Sequence, residues 1–261
     1  MSGKATPMMQ QYRRIRRELP SDTILFFRLG DFYEMFFEDA REASAILDVA
    51  LTKRQKTPMC GVPYHAAESY IAKLIRAGRK VAVCDQVEDP GASRGIVRRE
   101  VTRIVTPGTV VEEPVLEAKR SNYLAGVCRT GGTCGLALLE LSTGAFSLEE
   151  TDDPSAVREL LTRYDPAECL VPEEDAEGGE YRELLGDWPA GRTTPYDGYT
   201  FETDNARECL LQHFGVHSLE GFGCQDCRAG IGAAGAVLHY VTVRLKHRAE
   251  HVRRLRLSRH D

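Results

Sequence analysis

The chain has 261 residues, of which 42% are hydrophobic and 28% charged, an ordinary globular composition and enough length for two domains. No apolar run approaches the roughly 20 residues that span a bilayer. The start Met1-Ser2-Gly3-Lys4-Ala5 has no apolar core of a secretory signal, so a cytoplasmic location without a membrane partner is expected. Eight scattered cysteines suit a reducing compartment better than a disulfide framework. The net charge of −5 argues against a simple basic nucleic-acid glove, but the charge is unevenly spread. Residues 1–113 carry 18 of the 34 basic and 15 of the 39 acidic side chains, a balance of +3, which leaves −8 for the remainder. Only the first part is electrostatically tolerant of a phosphate backbone.

In chain order, Thr6 and Pro7 form an N-cap and first helical position, and Met8, Tyr12, Ile15 and Leu19 then recur at helical spacing until Pro20. Thr23–Leu29 reads as a buried strand. A Gly30-Asp31 turn and a helix along Phe36, Ala40, Ala43 and Leu47 follow. Val49–Lys53 reads as a strand, whereas 55–64, with Pro58, Gly61 and Pro63, is expected to be irregular. A helix over 66–77 ends at Gly78, and strands follow at 80–86 and 98–106. Alternating strands and helices make this first unit a mixed-sheet α/β domain.

Pro107-Gly108-Thr109 is a turn, and a charged segment follows it. Beyond it, strands at 123–129, 134–141 and 145–148 form a meander turned by Gly131-Gly132 and Ser142-Thr143-Gly144. A helix over 154–164, a strand over 168–171, and helices over 204–214 and 229–246 complete an α/β unit whose element order resembles the ribonuclease H-like topology. Cys128 and Cys134 flank the first turn, where two buried thiols are the simplest reading. The basic end, 247–261, begins another helix.

Phe32 and Glu34, in Gly30-Asp31-Phe32-Tyr33-Glu34, place an aromatic ring and a carboxylate two residues apart beside a turn. Such a pair suits wedging into a base stack while testing an exposed base edge. A purely structural alternative exists: Asp31 and Glu34 match a capping box, with Phe32 as a core residue. Lys53, Arg54 and Lys56, with Arg98, Arg99 and Arg103, are candidate phosphate contacts or ordinary solvated charge.

Three blocks in order, Thr6-Pro-Met-Met-Gln-Gln-Tyr12, Gly30-Asp-Phe-Tyr-Glu34 and Arg103-Ile-Val-Thr-Pro-Gly-Thr109, closely resemble the start of the MutS family of DNA mismatch-repair proteins. Pro58-Met59-Cys60-Gly61 resembles a family segment lying beside DNA, which makes Met59 a candidate minor-groove contact. The second half is matched more loosely, at Gly144-x-Phe146 and Gly221-Phe-Gly223. The resemblance implies a mismatch-recognition domain at 1–113, a linker at 114–121, a connector domain at 122–246, and the start of a further region at 247–261. It assigns to Phe32 stacking on a mispaired base from the minor groove, and to Glu34 a hydrogen bond to that base, with Tyr33 pointing inward. It also implies that a longer protein, located in the bacterial cytoplasm at the nucleoid, binds mismatched double-stranded DNA as a homodimer. That protein would use ATP and Mg2+ and recruit a MutL-like partner through the connector.

This chain has no phosphate-loop motif, no nucleophile elbow and no H-E-x-x-H, so no catalytic residue and no cofactor of its own is expected. Cys224-x-x-Cys227, with His213 and His217 upstream, has a Cys2His2 composition. The order and spacing differ from a standard finger, and the segment resembles a family loop that uses no metal, so no metal is assigned. The ribonuclease H-like unit raises the alternative of a metal-dependent nuclease, which needs carboxylates gathered on strands. The first strand of that unit carries none.

Overall fold

The computed structural model describes residues 6–88, 97–111, 121–176 and 179–258. They form two compact units, one up to Pro107 and one from Gly108 onward. Residues 112–120, which hold most of the expected linker, and the final residues 259–261 lie outside the described set.

The first unit opens with α1 (Pro7–Arg17), where the Thr6 hydroxyl accepts from the Met9 N–H at 3.4 Å. It continues with β1 (Thr23–Leu29), β2 (Phe32–Phe36), α2 (Phe37–Leu47), β3 (Thr52–Arg54), β4 (Thr57–Pro63), α3 (Ala67–Arg76), β5 (Lys80–Gln86) and β6 (Arg99–Val105). The six strands lie in the order β3-β4-β2-β1-β5-β6, with β1 and β5 parallel and the other pairs antiparallel. Met9, Tyr12 and Ile15 of α1 pack on Leu25, Phe27, Phe36, Ala82 and Cys84, closing one face of the sheet. The Asp39 carboxylate ties three elements together. It accepts from Leu25 N–H (3.0 Å), Tyr12 Oη–H (3.4 Å) and Arg16 Nε–H (3.1 Å). Burial pushes its pKa up, against the pull of those donors.

Three stretches of this unit differ from expectation. Residues 32–36 continue a hairpin rather than opening a helix: Leu29 pairs with Phe32 across the two-residue turn Gly30-Asp31, and Gly30 has φ +58°. No capping box forms, since α2 begins only at Phe37. Residues 57–63, expected to be irregular, form β4. Pro58 and Pro63 are tolerated because they sit near its ends, where few ladder bonds are asked of them. The strand expected at 49–53 is the shorter β3, displaced to 52–54.

The second unit contains β7 (Tyr123–Thr130), β8 (Thr133–Glu140), β9 (Ala145–Thr151), α4 (Pro154–Tyr164), β10 (Glu168–Pro172), α5 (Gly179–Leu185), β11 (Thr193–Tyr196), α6 (Thr203–Phe214), α7 (Arg228–His239) and β12 (Arg256–Leu257). Strand order is β11-β10-β7-β8-β9-β12. The meander β7–β8–β9 is antiparallel, and β10, β11 and β12 join in parallel. This mixed sheet has the expected ribonuclease H-like topology. Val157, Leu160 and Leu161 of α4 and Tyr181 and Leu184 of α5 cover one face, over Ala125, Val127, Leu136 and Leu138.

On the other face lies α7, buried from Ala229 to Leu238. A Cβ on Gly135 of β8 would stand 2.2 Å from the Ala229 carbonyl carbon, and one on Gly235 would stand 2.4 Å from Ala206 of α6. The small residues of α7 are what allow it to lie in van der Waals contact with sheet and helix at once. The helix expected to run to residue 246 ends at His239 and passes into a single π-turn over Tyr240–Arg244. No helix begins at 247. Ala249, Val252 and Leu255 are buried on this unit, and Arg256–Leu257 adds a strand to β9, so the basic segment has a domain to pack on. Cys128 and Cys134 are both buried free thiols, offset by one register step across the hairpin.

Candidate nucleic-acid interface

Strand alternation decides what the Gly30–Glu34 segment presents. Phe32 and Glu34 point to one face, Tyr33 and Met35 to the other. Phe32 is 46% exposed, among the most open large apolar side chains described, whereas Tyr33 is 7% exposed. The Tyr33 ring lies on Phe26 with centroids 5.7 Å apart, and its hydroxyl donates to Asp85 Oδ1 at 2.6 Å. The other oxygen of Asp85 accepts from Thr102 at 2.8 Å. Burial, assisted by Asp85, pushes the Tyr33 phenol up to about 12. At the turn itself, Arg28 Nε donates to the Gly30 carbonyl at 2.5 Å while its guanidinium stacks 3.7 Å from the Tyr64 ring centroid. Phe32 is thus an exposed ring on a hairpin pinned from behind and at its tip.

Beside β2 in the sheet runs β4, where Gly61 is the Cα partner of Glu34. A Cβ there would lie 3.6 Å from Glu34 Cγ and 3.9 Å from Phe32 Cδ1, so the glycine leaves the space flanking both side chains clear. From the next strand, Arg54 crosses β4 and its Nη1 meets Glu34 Oε2 at 2.8 Å. Lys53 pairs with Pro58 and Arg54 with Thr57, so the two basic neighbours alternate to opposite faces. Lys56 lies in the β3–β4 turn with φ +71°, beside Gln55 at +47°. Met59 is partly buried against the α1 cluster, and its carbonyl accepts from the Thr52 hydroxyl at 3.2 Å.

The candidate phosphate contacts do not form one patch. Arg98 and Arg103 flank or lie on β6, at the opposite edge of the sheet from β3, five strand spacings or about 24 Å away. Arg98 is ion-paired to Glu100 and Arg103 to Glu68. Arg99 is buried: it donates to the Arg28 carbonyl at 2.6 Å and to Gln11 at 3.1 Å, with its guanidinium over Phe27. Its role is structural. Sequence reasoning missed Arg28 and Tyr64, the latter 44% exposed under the Arg28 guanidinium. It also missed the Arg54–Glu34 pair, whose partners are joined by no linear pattern.

In the second unit, His213 Nε2 lies 2.8 Å from the Val252 carbonyl and Cys224 is buried. Among the described residues no three His, Cys, Asp or Glu side chains gather to hold a metal ion. Glu168, the buried carboxylate of β10, already accepts from Gly108 N–H, Thr194 and Tyr240 at 3.2, 2.8 and 2.8 Å. Among the described residues the nuclease alternative therefore finds no gathered carboxylates to support it. Among the described residues no helix is long and apolar enough to cross a membrane.

Comparison with known proteins identifies the family. The MutS domain I family description matches residues 6–114, and MutS domain II matches residues 122–253. DNA mismatch repair protein MutS of Syntrophobacter fumaroxidans is 48% identical over 97% of this chain and 29% of its own length. The proteins of the same name from Desulforapulum autotrophicum and Myxococcus xanthus are 44% and 49% identical, over 99% and 96% of this chain and 30% and 28% of theirs. The chain thus spans under a third of the length of these curated relatives, in the region of the recognition and connector domains. It belongs to the MutS family of DNA mismatch-repair proteins.

Proposed function

We propose that the first unit recognises mismatched double-stranded DNA by inserting Phe32 at a mispaired or unpaired base while Glu34 bonds the displaced base. The observation that carries this reading is the exposed Phe32 ring on a hairpin whose next residue, Tyr33, is locked into the core. Inserting a ring requires unstacking one base step, at a cost of about a few kcal/mol. A mispair has already lost part of that stacking, so the same insertion is easier there than in intact duplex. Deformability, rather than base sequence, is then what is read. Glu34 adds a second test: a carboxylate near phosphates is repelled, and a hydrogen bond donated by a displaced base offsets that cost.

The second unit is read as the connector that relays this event to a MutL-like partner. The complete protein is read as a bacterial, cytoplasmic homodimer whose ATP- and Mg2+-dependent machinery lies outside this chain, which itself acts as a DNA-binding and connector module. In the complete protein, Phe32→Ala should abolish most of the preference for a duplex with one unpaired base, and Glu34→Ala should lower that preference more than total affinity. Anisotropy titrations of matched and mismatched duplexes measure both. An unchanged preference in Phe32→Ala refutes the wedge.

A further inference from the structure

The Arg54–Glu34 pair has a direction built into it. Glu34 is the covered partner, with 14% of its side chain exposed, and Arg54 the open one, with 46% exposed. An approaching polyanion therefore meets the guanidinium before the carboxylate. A guanidinium fork bonds carboxylate or phosphate equally well in shape, so it can exchange one for the other. Glu34, once released, is left between Phe32 and the side-chain-free Gly61, where a base moved out of the stack offers a new donor.

We propose that Arg54 is a positioning residue that holds Glu34 in the free protein and on matched DNA, and passes to a backbone phosphate only when a displaced base takes over the carboxylate. This rests on the wedge reading of Phe32 and Glu34, and adds an exchange that the wedge alone does not require. On a matched duplex the exchange would leave the carboxylate unpaired among phosphates, so Arg54 stays where it is. On a mismatch both groups gain partners. The mismatched complex consequently neutralises one more phosphate than the matched one.

Counterion release makes this measurable. Each neutralised phosphate adds about 0.9 to the negative slope of log K against log salt. The mismatch preference should therefore fall by about 3.5-fold as salt rises fourfold, from about 50 to 200 mM. The experiment is anisotropy titration of the complete protein on matched and single-unpaired-base duplexes across that range, for the parent, Arg54→Ala and Glu34→Gln. The parent is expected to show a steeper slope on the mismatch. Arg54→Ala should make the two slopes equal, both shallow. Glu34→Gln, a near-isosteric change that keeps folding out of question, should free Arg54 on both duplexes and give two steep slopes. Equal slopes in the parent overturn the exchange, as does a slope difference that survives Arg54→Ala or a matched-duplex slope unmoved by Glu34→Gln. A parent that discriminates with equal slopes leaves the wedge standing and removes only the exchange. Loss of the wedge itself is read separately, from Phe32→Ala.

Discussion

Tyr33→Phe isolates the anchor behind the exposed ring. The substitution keeps the ring on Phe26 and removes one hydroxyl, whose bond to Asp85 measures 2.6 Å. A hydrogen bond to a charged acceptor contributes about 1.5–3 kcal/mol. Here Thr102 still holds the other Asp85 oxygen and Asp85 is half-buried, so water can replace the hydroxyl, and about 1–1.5 kcal/mol is expected. For a unit of this size that corresponds to roughly 5–10 °C in Tm. The pH dependence gives a sharper signature. The Tyr33 phenol is raised from 10.0 to about 12 in the folded state, so its contribution is fully present below pH 10 and is lost as pH climbs towards 12. Two pKa units set an upper bound of about 2.7 kcal/mol on that loss. The bound exceeds the cost of the substitution because burial of the ring, the largest cause of the shift, disfavours the phenolate and has no counterpart in Phe. Trp188 is the only tryptophan and lies in the second unit, so its fluorescence follows that unit while far-UV circular dichroism follows both. Thermal melts by both probes between pH 7 and 12 should show the parent losing its advantage over Tyr33→Phe above pH 10, in the circular dichroism transition alone. Equal alkaline losses in the two proteins would refute the anchor.

Gly135→Ala forces a Cβ to within 2.2–2.4 Å of the Ala229 and Gly230 backbone. It should destabilise the second unit by about 3 kcal/mol, the upper end of what overpacking costs, seen as an earlier Trp188 fluorescence transition; an unmoved transition would mean α7 has slack. Gly61→Ala, whose Cβ meets its nearest atom at 3.4 Å, should leave the first unit within about 1 kcal/mol of the parent in urea unfolding. Six of the eight cysteines are buried, and Cys209 and Cys227, half-buried, have thiols pushed up to about 11 by burial. A disulfide reagent at pH 8 should therefore label at most two thiols before unfolding, and rapid labelling of more would contradict the packing.

The parts of the fold legible in the sequence are those in which one signal acts alone. Thr6-Pro7 fixes the start of α1, and the helix expected over 154–164 is α4 as observed. The β7–β8–β9 meander follows from its glycine turns. Where two signals conflict, the tertiary one prevails. Pro58, Gly61 and Pro63 mark a breaker locally, yet 57–63 lies between β3 and β2, whose ladders hold it extended. Thr193–Tyr196 carries Pro195 and was not expected as a strand, but it sits at the sheet edge, where a missing donor is tolerated. The C-terminal segment is short and basic, and only the free edge of β9 makes Arg256–Leu257 a strand.

At the interface the two residues could be named from the linear motif, but their relation to each other could not. At the opening of a helix, positions 32 and 34 would point well apart, since residues two apart do not share a helical face. In an extended strand they share one face by necessity, with Tyr33 and Met35 on the opposite face as buried supports. The same parity sends Arg54 to the Glu34 side and Lys53 away from it, and sets Gly61 on the strand between them. Replacing the expected helix start by a hairpin therefore does more than move a boundary. It is the strand period that places ring, carboxylate and guanidinium on one surface, which is what the proposed wedge requires.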